Sequence, residues 1–224
     1  MTRPTRIIVA MSGATGAPFG VRLLEALHDL PEVETHLVLS TWARTTVELE
    51  SSRTVREVIE LADVHHKPGE QGSVLSSGSF RTDGMAVVPC SMKTLAAIRT
   101  GYADNLITRA ADVVLKERRR LVLVPRETPL SEIHLDHMLA LSRAGARIVP
   151  PMPAFYNNPR TLDDMVDHTV ARILDQFGLP APTARRWQGI AHARRGAVSA
   201  AATDLPRLDA TGDRGTADTS EPAP

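Results

Sequence analysis

The chain has 224 residues, 42% of them hydrophobic and 23% charged, which suits a single globular domain with a sizeable core. Lysine plus arginine and aspartate plus glutamate both number 26, so the formal net charge is zero, and this argues against a nucleic-acid or other polyanion partner recruited by global charge. Cys90 is the only cysteine, which rules out an intrachain disulfide, and the apolar run 7–11 is far too short for a signal core or a membrane span; a cytoplasmic protein with no membrane partner is expected.

Residues 7–11 (IIVAM) form a short run rich in β-branched residues, punctuated by Ser12-Gly13-Ala14-Thr15-Gly16 and followed by helical spacing over 18–30. A strand apolar on both faces belongs in a buried parallel sheet. The unit recurs. Strands are predicted over 34–39, 85–90, 121–125 and 147–149, and helices over 41–51, 55–61, 93–99, 106–117, 131–144 and 162–177. Residues 67–83, with four serines and three glycines, read as a loop, and the composition from Ala191 onward predicts a disordered tail, so the domain is set at 1–190. Alternating strands and helices mean an α/β layer fold with a mostly parallel sheet, and ligands in such folds bind beyond the strand C-termini.

Candidate chemistry follows the strands. The turn Gly13-Ala14-Thr15-Gly16 lacks the dinucleotide spacing GxGxxG, but its glycines and the N–H groups of the next helix suit a phosphate or a flavin edge; a tight turn without ligand is the alternative. Ser91 and Thr94, in Pro89-Cys90-Ser91-Met92-Lys93-Thr94, have N-cap spacing and could cap the helix or hold phosphate. Cys90 reads as a small buried residue, not a nucleophile. Arg109, Asp112 and Lys116 share one helical face, and Lys116 to Arg120 reads as surface charge. Arg126-Glu127, directly after an apolar strand, is costly to bury unless paired or in contact with a ligand, so it is the best acid–base candidate beside a plain ion pair.

Two patterns are set aside. Asp163, Asp164 and Asp167 match the DDxxD of magnesium-dependent prenyl-diphosphate enzymes, but Thr161 and Asp164 better fit a helix start. His134 and His137 have no third ligand nearby. No metal is expected.

The segments MSGATGAPFG (11–20), PCSMKTLAAI (89–98), NLITRAADVVLKERRRLVLVPRETPLSEIHL (105–135), FYNNP (155–159), VARIL (170–174) and RRW (185–187) together resemble the UbiX family of flavin prenyltransferases over residues 6–187. The resemblance implies a single-domain, flavodoxin-like Rossmann fold and a homododecamer built from trimers. It implies a metal-independent transferase that joins the dimethylallyl group of dimethylallyl phosphate to N5 and C6 of reduced FMN. The product, prenylated FMN, is the cofactor of UbiD-type decarboxylases. By motif, Gly13, Ala14, Thr15, Ser40, Ser91, Met92, Lys93, Thr94 and Arg126 contact FMN. Arg109, Lys116, Tyr156 and Arg172 hold the donor phosphate, Trp187 walls the prenyl group, and Glu50, Glu127, Lys116 and Thr15 serve the chemistry. Many members carry Ser where this chain has Thr15. Two other readings are an FMN-dependent cysteine decarboxylase of the phosphopantothenoylcysteine type and a non-catalytic FMN-binding subunit. The first expects a catalytic His in an early helix, where residues 42–51 have none. The second needs no second phosphate site.

Overall fold

Strand β1 (Thr5–Met11) is buried from Ile7 onward and sits at the centre of a parallel six-stranded sheet. The computed structural model describes residues 3–182 and 184–190. The chain divides into a unit Met1–Arg185, which holds the sheet, and a second unit Arg186–Pro224. After β1 come α1 (Ala17–His28), β2 (Val33–Leu39), α2 (Thr41–Glu50), α3 (Val55–Glu60), β3 (Val64–His66), β4 (Gly84–Cys90), α4 (Met92–Thr100) and α5 (Leu106–Lys116). They are followed by β5 (Arg120–Pro125), α6 (Glu132–Arg143), β6 (Arg147–Ile148) and α7 (Leu162–Phe177), with short 3₁₀ turns over Val74–Ser76 and Phe155–Asn157.

The strand order is β3-β2-β1-β4-β5-β6. The chain builds outward from β1 through β2 to β3, then returns to the other side of β1 and builds outward through β4 and β5 to β6. The reversal leaves a crevice between the C-terminal ends of β1 and β4, which is where this architecture takes ligands. Alternation along β1 explains the two layers. Ile7, Val9 and Met11 pack with α1 and with Val166, Val170, Ile173, Leu174 and Phe177 of α7. Ile8 and Ala10 pack on the opposite face with α4 and with Leu106, Ile107, Ala110 and Val114 of α5. Helix α1 lies close to the sheet because Gly20 has no side chain: a Cβ there would stand 2.6 Å from both Met11 Cε and the Val88 carbonyl oxygen.

Two expectations need correcting. The sheet has a sixth strand, β3, beyond the five that the sequence pattern predicts. It is three residues long and pairs with β2 through His36, Leu37 and Val38. Imidazoles fix it from within, since His66 Nε2 lies 3.0 Å from His36 Nδ1 and His66 Nδ1 lies 2.9 Å from Ser73 Oγ. The charge run 116–120 is only partly surface. Arg119 donates to the Gly78 and Phe80 carbonyls at 2.6 and 2.9 Å, tying down the 67–83 loop, and Arg120 donates to the Phe177 carbonyl at 2.5 Å. The tail from Ala191 lies outside the described residues. Among those described, no helix is long and apolar enough to cross a membrane.

Candidate active site

The crevice between β1 and β4 opens into a cleft of about 500 Å³. Ser12 and Gly13 reach it from β1, Ser40 and Trp42 from β2, and Ser91, Lys93 and Thr94 from β4. Helix starts converge there. Ser40 caps α2 by accepting from Ala43 N at 3.0 Å, Ser91 caps α4 through Thr94 N at 3.3 Å, and Asn105 caps α5 through Ile107 N at 3.0 Å. The positive ends of α2, α4 and α5 therefore face one space beside the Lys93 ammonium, an arrangement that favours an anion. The β1 and β4 loops are locked together: Ser12 Oγ donates to the Pro89 carbonyl at 2.8 Å and accepts from Ser91 N at 2.7 Å. Gly13 must remain a glycine, because a Cβ would collide with Trp42.

The start of α1 is different. The sequence predicts free N–H groups there for an oxyanion, yet Gly16 N and Ala17 N both donate to Glu50 Oε2, at 2.7 and 2.9 Å. The anion at this helix terminus is a side chain 34 residues away in sequence. Burial opposes ionisation of Glu50. The Thr15 hydroxyl, the Gly16 and Ala17 amides and the Arg126 charge outweigh it and hold the carboxyl below the usual range. Since the folded-state pKa is depressed, the stabilisation is present above the unfolded value and is lost as pH falls through the folded one. Glu50→Gln is thus expected to cost about 1 kcal/mol near neutral pH, or roughly 2–4 °C in Tm. In calorimetry, the gap between the two proteins should close as pH drops below the depressed value. A gap that persists undiminished in acid would contradict this capping role.

Arg126 and Glu127 both lie exposed beyond β5, so the cost of burying them does not arise in the single chain. Arg126 N donates to the Cys90 carbonyl at 3.3 Å, and Glu127 Oε1 accepts from Thr128 N at 3.0 Å. Thr15, Glu50 and Arg126 form one electrostatic group beside the β1 loop. Cys90 is fully buried and burial pushes its thiol up to about 12, so it supplies no thiolate.

Among the described residues, those expected at the donor phosphate fall into two groups, Arg109 and Lys116 on α5 and Tyr156 and Arg172 before and on α7, and the two helices pack on opposite faces of the sheet. Arg109 pairs with Asp112 at 2.6 Å and donates to the Ser76 carbonyl at 3.0 Å, while Lys116, two turns further along α5, pairs with Glu117 at 2.5 Å. Arg172 lies on α7, across the sheet, paired with Asp175 at 2.8 Å. Tyr156 stands in the 3₁₀ turn before α7, its ring edge-to-face with His168. Trp187 belongs to the second unit and is half exposed. The DDxxD residues are otherwise engaged: Asp164 Oδ2 accepts from Thr161 N at 3.0 Å in a capping box, and Asp167 pairs with Arg22 at 2.6 Å. His134 likewise closes a capping box with Ser131.

Sequence reading missed Trp42 as a cleft residue, and it placed Asn105 and Thr108 in the candidate segment 105–116 without assigning them to this cleft. Asn105 carried a usable signal, an Asn immediately before an apolar helical run. Trp42 carried none beyond its place two residues after Ser40.

The flavoprotein family profile matches residues 1–174. A probable UbiX-like flavin prenyltransferase from Streptomyces sp. (strain D7) is 73% identical over 194 residues, covering 87% of this chain and 97% of the relative. The crystal structure of a dodecameric FMN-dependent UbiX-like decarboxylase from Escherichia coli O157:H7 superposes with a TM-score of 0.82 at 68% identity, covering 83% of this chain and all of that one. That of AnUbiX (PadA1) in complex with FMN and dimethylallyl pyrophosphate gives a TM-score of 0.82 at 56% identity, covering 84% of this chain and all of that one. With the loops after β1, β2 and β4 converging on one anion-favouring cleft, the chain belongs to the flavoprotein family and, within it, to the UbiX-type flavin prenyltransferases.

Proposed function

We propose that this protein joins the dimethylallyl group of dimethylallyl phosphate to N5 and C6 of reduced FMN, and that its product, prenylated FMN, serves a UbiD-type decarboxylase. The observation that carries the reading is the β1/β4 cleft, whose hydroxyls, glycine turn and converging helix starts fit a flavin mononucleotide. Lys93 and the helix starts suit its phosphate, and Ser40, Ser91 and Thr94 its polar edges; Gly13, Ala14, Thr15, Met92 and Arg126 complete the set. Bound reduced flavin would supply the nucleophilic nitrogen and ring carbon. The chain's own groups do the rest.

Arg109, Lys116, Arg172 and the Tyr156 hydroxyl stabilise charge developing on the leaving phosphate. Because α5 and α7 flank opposite faces of the sheet, one phosphate reaches both sets only if neighbouring subunits contribute them. A homododecamer built from trimers supplies such neighbours. The exposed Ile133, Leu135 and Leu139 of α6 offer apolar surface for subunit contact. The two carboxylates divide the work. Glu50, committed to two backbone amides and Thr15, is a fixed anion and a weak base, whereas Glu127 is the proton acceptor. We place the protein in the cytoplasm.

The test is anaerobic incubation with reduced FMN and dimethylallyl phosphate, with the diphosphate as a parallel arm, read by the mass of the extracted flavin. A gain of one C5 unit is expected with the monophosphate. No gain with either donor would sink the reading.

A further inference from the structure

Tyr156 and Arg172 come from different elements, a 3₁₀ turn and the third turn of α7, yet the proposed reading asks both to meet one phosphate. His168 stands between them. It lies one turn before Arg172 on α7, so the two side chains share a helical face. Its ring meets the Tyr156 ring edge-to-face, with centroids 6.1 Å apart and planes at 89°. Asn157, the neighbour of Tyr156, donates from Nδ2 to His168 Nδ1 at 2.9 Å. The imidazole is therefore bound to the Tyr156 turn twice, once through the ring and once through the adjacent amide. It also forms part of the wall of two adjoining hollows, one of about 280 Å³ with Asn157 and Arg185, and one of about 560 Å³ that contains Arg172.

We infer that His168 is a positioning residue for the donor-phosphate site, holding the Tyr156 turn in register with Arg172; the inference rests on the proposed assignment of those two residues. The rest of its surroundings suit that work. Burial, then the Arg172 charge, hold the imidazole below the ordinary histidine range, with Asp175 opposing. At neutral pH the ring is uncharged. It accepts from Asn157 at Nδ1, carries its proton at Nε2, and adds no positive charge to repel Arg172. An aliphatic side chain could fill the volume, but it would offer Tyr156 no polarised ring edge and Asn157 no acceptor.

The experiment is steady-state kinetics on the full-length protein, with reduced FMN and dimethylallyl phosphate varied separately. His168→Ala is expected to raise KM for the donor by about 10-fold, the upper end of what an edge-to-face ring contact contributes, with kcat falling less and FMN affinity unchanged. His168→Phe, which restores a ring edge against Tyr156, should recover part of that loss. Asn157→Ala leaves the imidazole in place but unties it, and should raise donor KM in the same direction; it stands in should His168→Ala fail to fold. Unchanged donor KM in these variants would overturn the inference, and so would an equal fall in FMN affinity, which marks a general structural role. Tyr156→Phe and Arg172→Ala separate the two levels. If they raise donor KM and the His168 variants do not, only the role of His168 falls. If they too leave it unchanged, the donor-site assignment beneath it falls.

Discussion

Glu127→Gln is expected to lower kcat by roughly 10²–10⁴-fold, the usual contribution of a positioned general base, while FMN binds as before. The cleft explains why binding survives. Ser12, Gly13, Ser40, Ser91, Lys93 and Thr94 line it, and Glu127 is not among its lining residues. The geometry also explains why Glu127 and not Glu50 carries this expectation. Glu50 Oε2 already takes two backbone amides at 2.7 and 2.9 Å, and its depressed pKa makes it a poor acceptor of a further proton. Glu127 has one backbone amide, Thr128 N, on Oε1. The side-chain amide introduced by the substitution keeps that hydrogen bond and the volume, so a fall in kcat would report the lost basicity alone. The measurement is single-turnover prenylation under anaerobic conditions, with FMN affinity by titration. Full turnover in this variant would remove Glu127 from the proton transfer.

Much of this arrangement was legible from the chain, and the part that was not has definite causes. Strands β1, β4 and β5 announce themselves because both faces are buried, leaving unbroken apolar runs. Ser40 and Ser91 sit at strand-to-helix junctions, where a hydroxyl is the natural cap. Strand β3 is silent because Val64-His65-His66 has no apolar alternation; its place comes from His36 and Ser73, distant in sequence. The start of α1 misled for a similar reason. Nothing near Gly16 reveals that Glu50 will fill the anion position, because the contact exists only once α2 has packed beside α1. The division of the residues proposed for the donor phosphate was also hidden, since it depends on which face of the sheet each helix takes, and periodicity alone does not say.

On the proposed oligomeric reading, that division has a measurable consequence. Lys116→Ala and Arg172→Ala should each lower kcat/KM for dimethylallyl phosphate by roughly 10²–10³-fold, as expected for removing one fixed donor from a developing oxyanion. Mixing the two inactive variants should then restore activity. In a site built from α5 of one subunit and α7 of another, the Arg172→Ala chains supply an intact Lys116 and the Lys116→Ala chains an intact Arg172. Random reassembly places both intact side chains at about one site in four, so the mixture should recover about a quarter of wild-type activity. If each site drew both residues from one chain, every site would lack one of them, and mixing would restore nothing. The experiment needs the variants to be dissociated and reassembled together, with variants mixed without dissociation as the control. Recovery only after reassembly is the expected outcome. The physical reason is already in the fold: α5 packs on the Ile8 and Ala10 face of β1 and α7 on the Ile7, Val9 and Met11 face, with the sheet between them.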